Sequence, residues 1–289
     1  MNYEIVPCTE EDPEFLEEKI EEINSTAAPC GEDAEYDYVL LKSTDGEGNI
    51  IGGCLVLIDK WKSAELDTLW VEEKYRRQGL GSALIREAER AARDKGVYLM
   101  TLGTFDFQAR PLYEKHGYTV CGLLPDCPKE HEHYDMMKRL DRPSAEYVPS
   151  KTWPNEIEPA AEDEWDVIED GLSGYNDSQV PYEHEYEEVG NKMLDENGVL
   201  IAGCAAGILG WNNAFITKIW VDGPLRGQGL GSRLLGETER ELKEKGAYIA
   251  LVSAYDWQAD FFRKNGYTVY GTIEDCPKGH CKYLLQKLL

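Results

Sequence analysis

At 289 residues the chain is long enough for two domains, each with its own core. Its 42% apolar and 29% charged composition fits a globular protein, and a formal charge of −25 repels phosphate backbones, which argues against nucleic acid as a partner. The longest apolar run, IIGGCLVLI at Ile50–Ile58, is far short of the roughly 20 residues of a membrane span. The acidic start MNYEIVPCTEED lacks the segments of a secretory signal, so a cytoplasmic chain with reduced cysteines is expected.

The first half opens on an acidic helix with Phe15, Leu16, Ile20 and Ile23 at helical spacing. YVLLKST and IIGGCLVLI follow as a strand pair turned by DGEGN, and a third strand, AELDTLWV, runs into the glycine-rich YRRQGLGSAL. The next helix carries an apolar stripe of Leu80, Leu84, Ala88, Ala91 and Ala92, with Gly96 placed to cap its end. The strand VYLMTL, a short helix ending at Gly117 and a last strand pair complete the unit. The stretch Asp141–Pro159, with four prolines, reads as a linker.

After the linker the same order returns. A helix carries Trp165, Ile168 and Leu172, and NKML and VLIAGCAAGIL flank the turn DENG. AFITKIWV leads to LRGQGLGSRL, and a helix with Leu230, Leu234, Thr238 and Leu242 ends at Gly246. AYIALV and a short helix ending at Gly266 follow. Residue n matches n+150 through FDFQA and YDWQA; one residue is then lost, and KHGYTVCG matches KNGYTVYG at an offset of 149. A period this long is a duplicated domain, not a solenoid repeat. The expected organisation is residues 1–141, a linker over 142–159, and residues 160–289. Each copy is α/β, a mixed central sheet flanked by helices.

A glycine-rich loop between a strand and a helix N-terminus suits an anion, because the first-turn N–H groups point outward and glycine lets a phosphate approach. No lysine follows Gly81 or Gly231, which excludes the triphosphate loop, and the G-x-G spacing fits a dinucleotide fingerprint poorly. Arg76-Arg77-Gln78-Gly79-Leu80-Gly81 and Arg226-Gly227-Gln228-Gly229-Leu230-Gly231 resemble the R/Q-x-x-G-x-G/A signature of the GNAT superfamily of N-acetyltransferases. The segment Asp106-x-x-Ala109-x-x-x-Tyr113-x-x-x-Gly117-Tyr118 is similar to a second stretch of that family, with Asp in place of Asn.

The resemblance covers nearly the whole chain and implies a tandem duplicated GNAT fold using acetyl-CoA as co-substrate. Carried over, Leu69 and Val71 would pair with pantetheine, and Arg76, Arg77, Gln78, Gly79, Leu80, Gly81 and Ser82 would hold the pyrophosphate. The second copy offers Val221, Arg226, Gly227, Gln228, Gly229, Leu230, Gly231 and Ser232 for the same task.

A primary amine is protonated at neutral pH, so acetylation needs a proton acceptor, and the departing thiolate is helped by an acid. The resemblance gives the acid's place to Tyr113. Glu65 and Asp67, two apart on the third strand, share a face and could serve as base. Packing for Tyr113, and a plain solvated role for either carboxylate, stand beside that reading. The second copy has Phe215 and Thr217 opposite the carboxylates and Phe262 or Arg263 opposite Tyr113, which makes the N-terminal copy the expected catalyst. Tyr255 or Tyr283 could stand in as acid there.

Cys127, His131 and His133, and in the second copy Cys276, His280 and Cys281, lack a completing ligand pair, so no metal is expected and a loop at the substrate mouth is favoured. The acidic excess points to a cationic small-molecule amine, an aminoglycoside-like antibiotic or a polyamine. A protein or peptide amine, and a non-catalytic CoA-binding sensor or scaffold, are the alternatives.

Overall fold

The computed structural model describes residues 3–31, 34–142 and 147–289. The first repeat forms β1 (Ile5–Pro7), α1 (Asp12–Ala27), β2 (Asp37–Thr44), β3 (Ile50–Ile58), β4 (Ser63–Val71), α2 (Leu80–Asp94), β5 (Leu99–Phe105), α3 (Arg110–Lys115), β6 (Thr119–Pro125) and β7 (Glu132–Arg139). The second forms β8 (Glu158–Pro159), α4 (Trp165–Gln179), β9 (Glu187–Leu194), β10 (Leu200–Ile208), β11 (Asn213–Val221), α5 (Leu230–Glu244), β12 (Ile249–Tyr255), α6 (Asp256–Lys264), β13 (Thr268–Glu274) and β14 (Cys281–Leu288). The mixed α/β class expected from the repeat is what the chain adopts. No helix among the described residues is long and apolar enough to cross a membrane.

The compact units do not follow the repeat boundaries. One unit takes the N-terminal segment through Pro29 together with Tyr182–Thr272 and Cys281–Leu289; the other takes Cys30–Pro181 with Ile273–His280. They are called here the β9–β12 unit and the β2–β7 unit. Helix α1 therefore packs on β10 and β11, and α4 on β3 and β4. The opening strands go with them: β1 pairs with β9, and β8 pairs with β2. The divisions 1–141 and 160–289 describe the sequence repeat, whereas each folded unit carries the opening strand and helix of the other repeat.

The seats for these helices are cut by glycine. A Cβ on Gly53 in β3 would stand 2.3 Å from Ile168 Cδ1 of α4, and one on Gly203 in β10 would stand 2.6 Å from Leu16 Cδ2 of α1. Both contacts are below any real carbon–carbon approach, so only glycine admits the helix at this depth. Ile168 and Leu16 are fully buried. The helix ends are tied by matching amides. Gln108 Nε2 donates to Asn176 Oδ1 of α4 at 2.7 Å, and Gln258 Nε2 donates to Asn24 Oδ1 of α1 at 3.0 Å.

The expected linker is only partly one. Its residues 143–146 lie outside the described residues, and β8 falls within it. Trp153 and Ile157, apolar residues of that stretch, pack on the β2–β7 core. Trp153 Nε1 donates to Ser43 Oγ at 3.0 Å.

On the opposite face, α2 covers β3 with Leu80, Leu84, Ile85 and Ala88, and α5 covers β10 in the same way. An ion pair adds to each: buried Lys138 Nζ lies 2.6 Å from Glu89 Oε1, and half-buried Lys287 Nζ lies 2.5 Å from Glu239 Oε2.

Candidate active site

Each sheet opens at one place. The parallel strands β4 and β5 pair only at Ser63–Leu99, Ala64–Met100 and Glu65–Thr101, and β11 and β12 only at Asn213–Ile249, Ala214–Ala250 and Phe215–Leu251. Beyond these pairs the strands diverge. The β3–β4 register slips at Asp67, between the pairs Val56–Leu66 and Leu55–Thr68, and the β10–β11 register slips at Thr217. A bulge of this kind bends its strand and releases one residue from the ladder. Leu69 and Val71, and Val221 in the other unit, lie past the opening, where a ligand can take the place of the missing neighbour strand.

At the end of the opening sits the glycine loop. Gly79 caps α2 at φ 101° and Gly229 caps α5 at φ 83°, left-handed conformations that favour glycine. Most loop side chains turn to structural partners. Arg76 Nε donates to the Val71 carbonyl at 2.8 Å, and Arg226 Nε to that of Val221 at 2.9 Å. The Arg76 guanidinium also lies 4.4 Å from the centre of the Tyr175 ring on α4. Gln78 and Gln228 donate to the carbonyls of Lys74 and Pro224. Leu80 is in the core, and buried Ser82 Oγ lies 3.1 Å from His116 Nε2. What remains to meet an anion is the first-turn backbone N–H groups, with the exposed Arg77 beside them. Gly79 has a packing reason as well: a Cβ there would stand 2.5 Å from the Lys151 carbonyl oxygen.

In the β9–β12 unit the opening is a cavity of about 630 Å³. Its walls run from Arg226 and the Gly229–Ser232 turn, along Ile219 and Val221, to Ile20 and Asn24 of α1. Tyr255 and Trp257, stacked with centroids 4.6 Å apart, stand in the same wall. Among the described residues no Asp, Glu or His lines this cavity. Phe262 takes the place of Tyr113: it packs edge to face on Tyr267 at 5.5 Å, as Tyr113 packs on Tyr118 at 6.0 Å. The lost residue does not shorten the helix. It removes the turn before it, so α6 starts directly at Asp256 and is longer than α3.

The β2–β7 unit is chemically different. Glu65 and Asp67 are exposed, while Leu66 between them is buried in the core. Tyr113 is 7% exposed, and burial, reinforced by neighbouring Cys54, pushes its phenol well above the ordinary value. It stays protonated at physiological pH and has a proton to donate. Sequence reasoning weighed His133 only as a metal ligand or part of a loop at the substrate mouth, not as a group of the opening. Its ring rests on Phe105 with centroids 5.0 Å apart, its Nδ1 lies 3.6 Å from Asp135 Oδ2, and its Nε2 lies 2.7 Å from where a Cβ on Gly103 would stand. Burial pulls its pKa down to about 4, against the opposing influence of Glu65. The readable signal was Gly103 itself, a strand glycine whose counterpart is Ser253. His131, from the same run, instead pairs with Asp106 at 2.9 Å. Among the described residues no group of three or more His, Cys, Asp or Glu side chains could hold a metal ion.

An α/β unit with a bulged strand, a parallel pair that parts, and a glycine-capped helix at the opening defines an acyl-CoA-dependent transferase. The chain belongs to the acetyltransferase (GNAT) family, whose model matches residues 3–118 and 151–267, one match for each repeat. It is an acetyltransferase that uses acetyl-CoA as co-substrate. A blasticidin-S acetyltransferase from Streptomyces morookaense is 36% identical over 96 residues, 33% of this chain and 71% of that protein. An acetyltransferase from Bacillus cereus ATCC 14579 of known structure is 33% identical, with 47% of this chain and 96% of that one covered at a TM-score of 0.44. A putative streptothricin acetyltransferase from Bacillus anthracis str. Ames, solved with acetyl coenzyme A, is 14% identical, covering 60% of this chain and 86% of that one at a TM-score of 0.33.

Proposed function

We propose that the β2–β7 unit transfers the acetyl group of acetyl-CoA to a primary amine of a cationic small molecule, and that the β9–β12 unit holds the coenzyme without turnover. The observation that carries this reading is the asymmetry of two like openings. One has the carboxylates Glu65 and Asp67 exposed beside the place where the strands part. The other is lined by Lys218, Arg226, aromatic rings and aliphatic chains. A carboxylate mouth favours an ammonium group, and the chain's charge of −25 adds attraction at long range. In this assignment Glu65 and Asp67 hold the acceptor's charge, and Tyr113 donates to the departing sulfur. Similarity to an antibiotic acetyltransferase supports a small-molecule amine over a protein amine.

The test is acetyl-CoA turnover, followed by thiol release, on a panel of aminoglycosides, polyamines and peptide amines. It is run with Gly81→Asp and Gly231→Asp, each placing a negative charge in one loop. Gly81→Asp is expected to abolish turnover, and Gly231→Asp to remove one of two bound equivalents of CoA by calorimetry. Turnover lost in Gly231→Asp and kept in Gly81→Asp would assign the chemistry to the other unit. Turnover of peptide amines alone would overturn the substrate class.

A further inference from the structure

We propose that His133 is the proton acceptor for the attacking amine, lodged over Gly103 where β4 and β5 part and oriented by Asp135. The inference rests on the assignment of chemistry to the β2–β7 unit. His133 is paired with Phe105 on β5, and Gly103, paired with Asp135, is two residues nearer the opening. Because Gly103 has no side chain, the imidazole leans back over it, and Nε2 occupies the space a Cβ would crowd at 2.7 Å. That position is close to the last β4–β5 pair, Glu65–Thr101. Leu66, Met100, Leu102, Tyr134 and Met136 point into the core beneath α2, so the alternate residues Glu65, Gly103, Phe105, His133 and Asp135 share the other face. This is the face on which α4 packs.

Asp135 near Nδ1 favours the tautomer with the proton on Nδ1, which leaves the lone pair on Nε2. The charged and titratable groups on the surrounding elements include Glu65 and Asp67 of β4, Asp106 just after β5, His131 just before β7, Asp135 and Glu132 of β7, and Tyr175 of α4, which also carries Asp166, Glu169, Asp170 and Asp177. With burial pulling its pKa down to about 4, the imidazole is neutral at pH 7, and the adjacent Glu65 favours the cation once a proton arrives. The acceptor's ammonium gives one proton to Nε2. The freed nitrogen pair then forms a C–N bond at the thioester carbonyl. The C–S bond breaks with its electron pair on sulfur, which takes the Tyr113 phenol proton; the second proton lost from nitrogen restores that phenol, and His133 returns its proton to solvent.

The other unit supports the assignment by contrast. Phe215 stands for Glu65, Ser253 for Gly103, Lys282 for His133 and Leu284 for Asp135, so every polar member is replaced and the space over the glycine is filled.

The experiment compares His133→Gln and Gly103→Ala with the unaltered chain, using kcat and KM across pH 5 to 9 on an active amine and circular dichroism to confirm folding. His133→Gln is expected to lower kcat by about 10²-fold or more with little change in KM. Gly103→Ala should do the same by displacing the ring, and added imidazole should restore turnover in His133→Gly. A His133→Gln enzyme with unaltered kcat and pH profile, or one changed only in KM, overturns the inference. If Gly81→Asp still abolishes turnover in that case, the catalytic unit stands and only the proton acceptor is wrong.

Discussion

Leu16→Ala tests the exchange of opening helices directly. Leu16 belongs to the first repeat, yet it is fully buried against Gly203 of the second. Truncation deletes three carbons from a seat shaped to receive them, and the sheet backbone at Gly203 cannot move in to fill the gap. Leu→Ala changes at such sites cost about 3 kcal/mol. If the β9–β12 unit opens as a whole, that loss raises amide exchange there on the order of 100-fold. Hydrogen–deuterium exchange by mass spectrometry reads it segment by segment. Faster exchange is expected in β10 and β11, residues 200–221, with β3 and β4, residues 50–71, close to unaltered. Ile168→Ala should reverse the pattern, since Ile168 sits on Gly53. The reasoning is refuted if Leu16→Ala loosens residues 50–71 and spares residues 200–221.

Tyr113→Phe should lower kcat by about 10²-fold with little change in melting temperature, because Phe262 already fills the matching site; kinetics with thiol release decide it. His116 is buried, and burial, followed by Lys138 and Arg86, pulls its pKa down to about 4. Its folded value lies below the unfolded one, so the stability it permits is complete above about pH 6.5 and falls as pH drops towards 4. The loss amounts to roughly 3 kcal/mol, and His116→Asn, matching Asn265, should flatten urea stability over that range. For a polycationic acceptor, KM should rise between 0.05 and 0.5 M salt, since the Debye length is about 10 Å at 0.1 M. A salt-independent KM would leave the surface charge without a role in capture.

The repeat, the strand order and the glycine loops were legible because each is written locally, in period-two strands, turn residues and the 150-residue register. Which sheet each opening helix covers was not. The stripe Phe15, Leu16, Ile20, Ile23 and the stripe Trp165, Ile168, Leu172 are near equivalents, and Gly53 and Gly203 offer both sheets the same seat. Nothing local separates a helix from its double. In the site, Glu65 and Asp67 announced themselves by spacing on one strand. His133 was visible only as one of the ligand-type residues of Asp126–Tyr134, and its place in the opening becomes distinct only when β7 lays it beside a glycine 30 residues earlier.

The exchanged helices also set an order of events during synthesis. Helix α1 leaves the ribosome early, but its seat on β10 and β11 is not made until residue 221, nearly 200 residues later. At about 5–20 residues per second that interval is roughly 10–40 s. Between residues 139 and 165 of that interval the first sheet, β2 to β7, is complete without α4 and carries a glycine seat of the kind α1 fits. The nascent chain thus has a single-repeat arrangement open to it, α1 on its own repeat's sheet, and reaching the final structure from there requires α4 to take the place of α1.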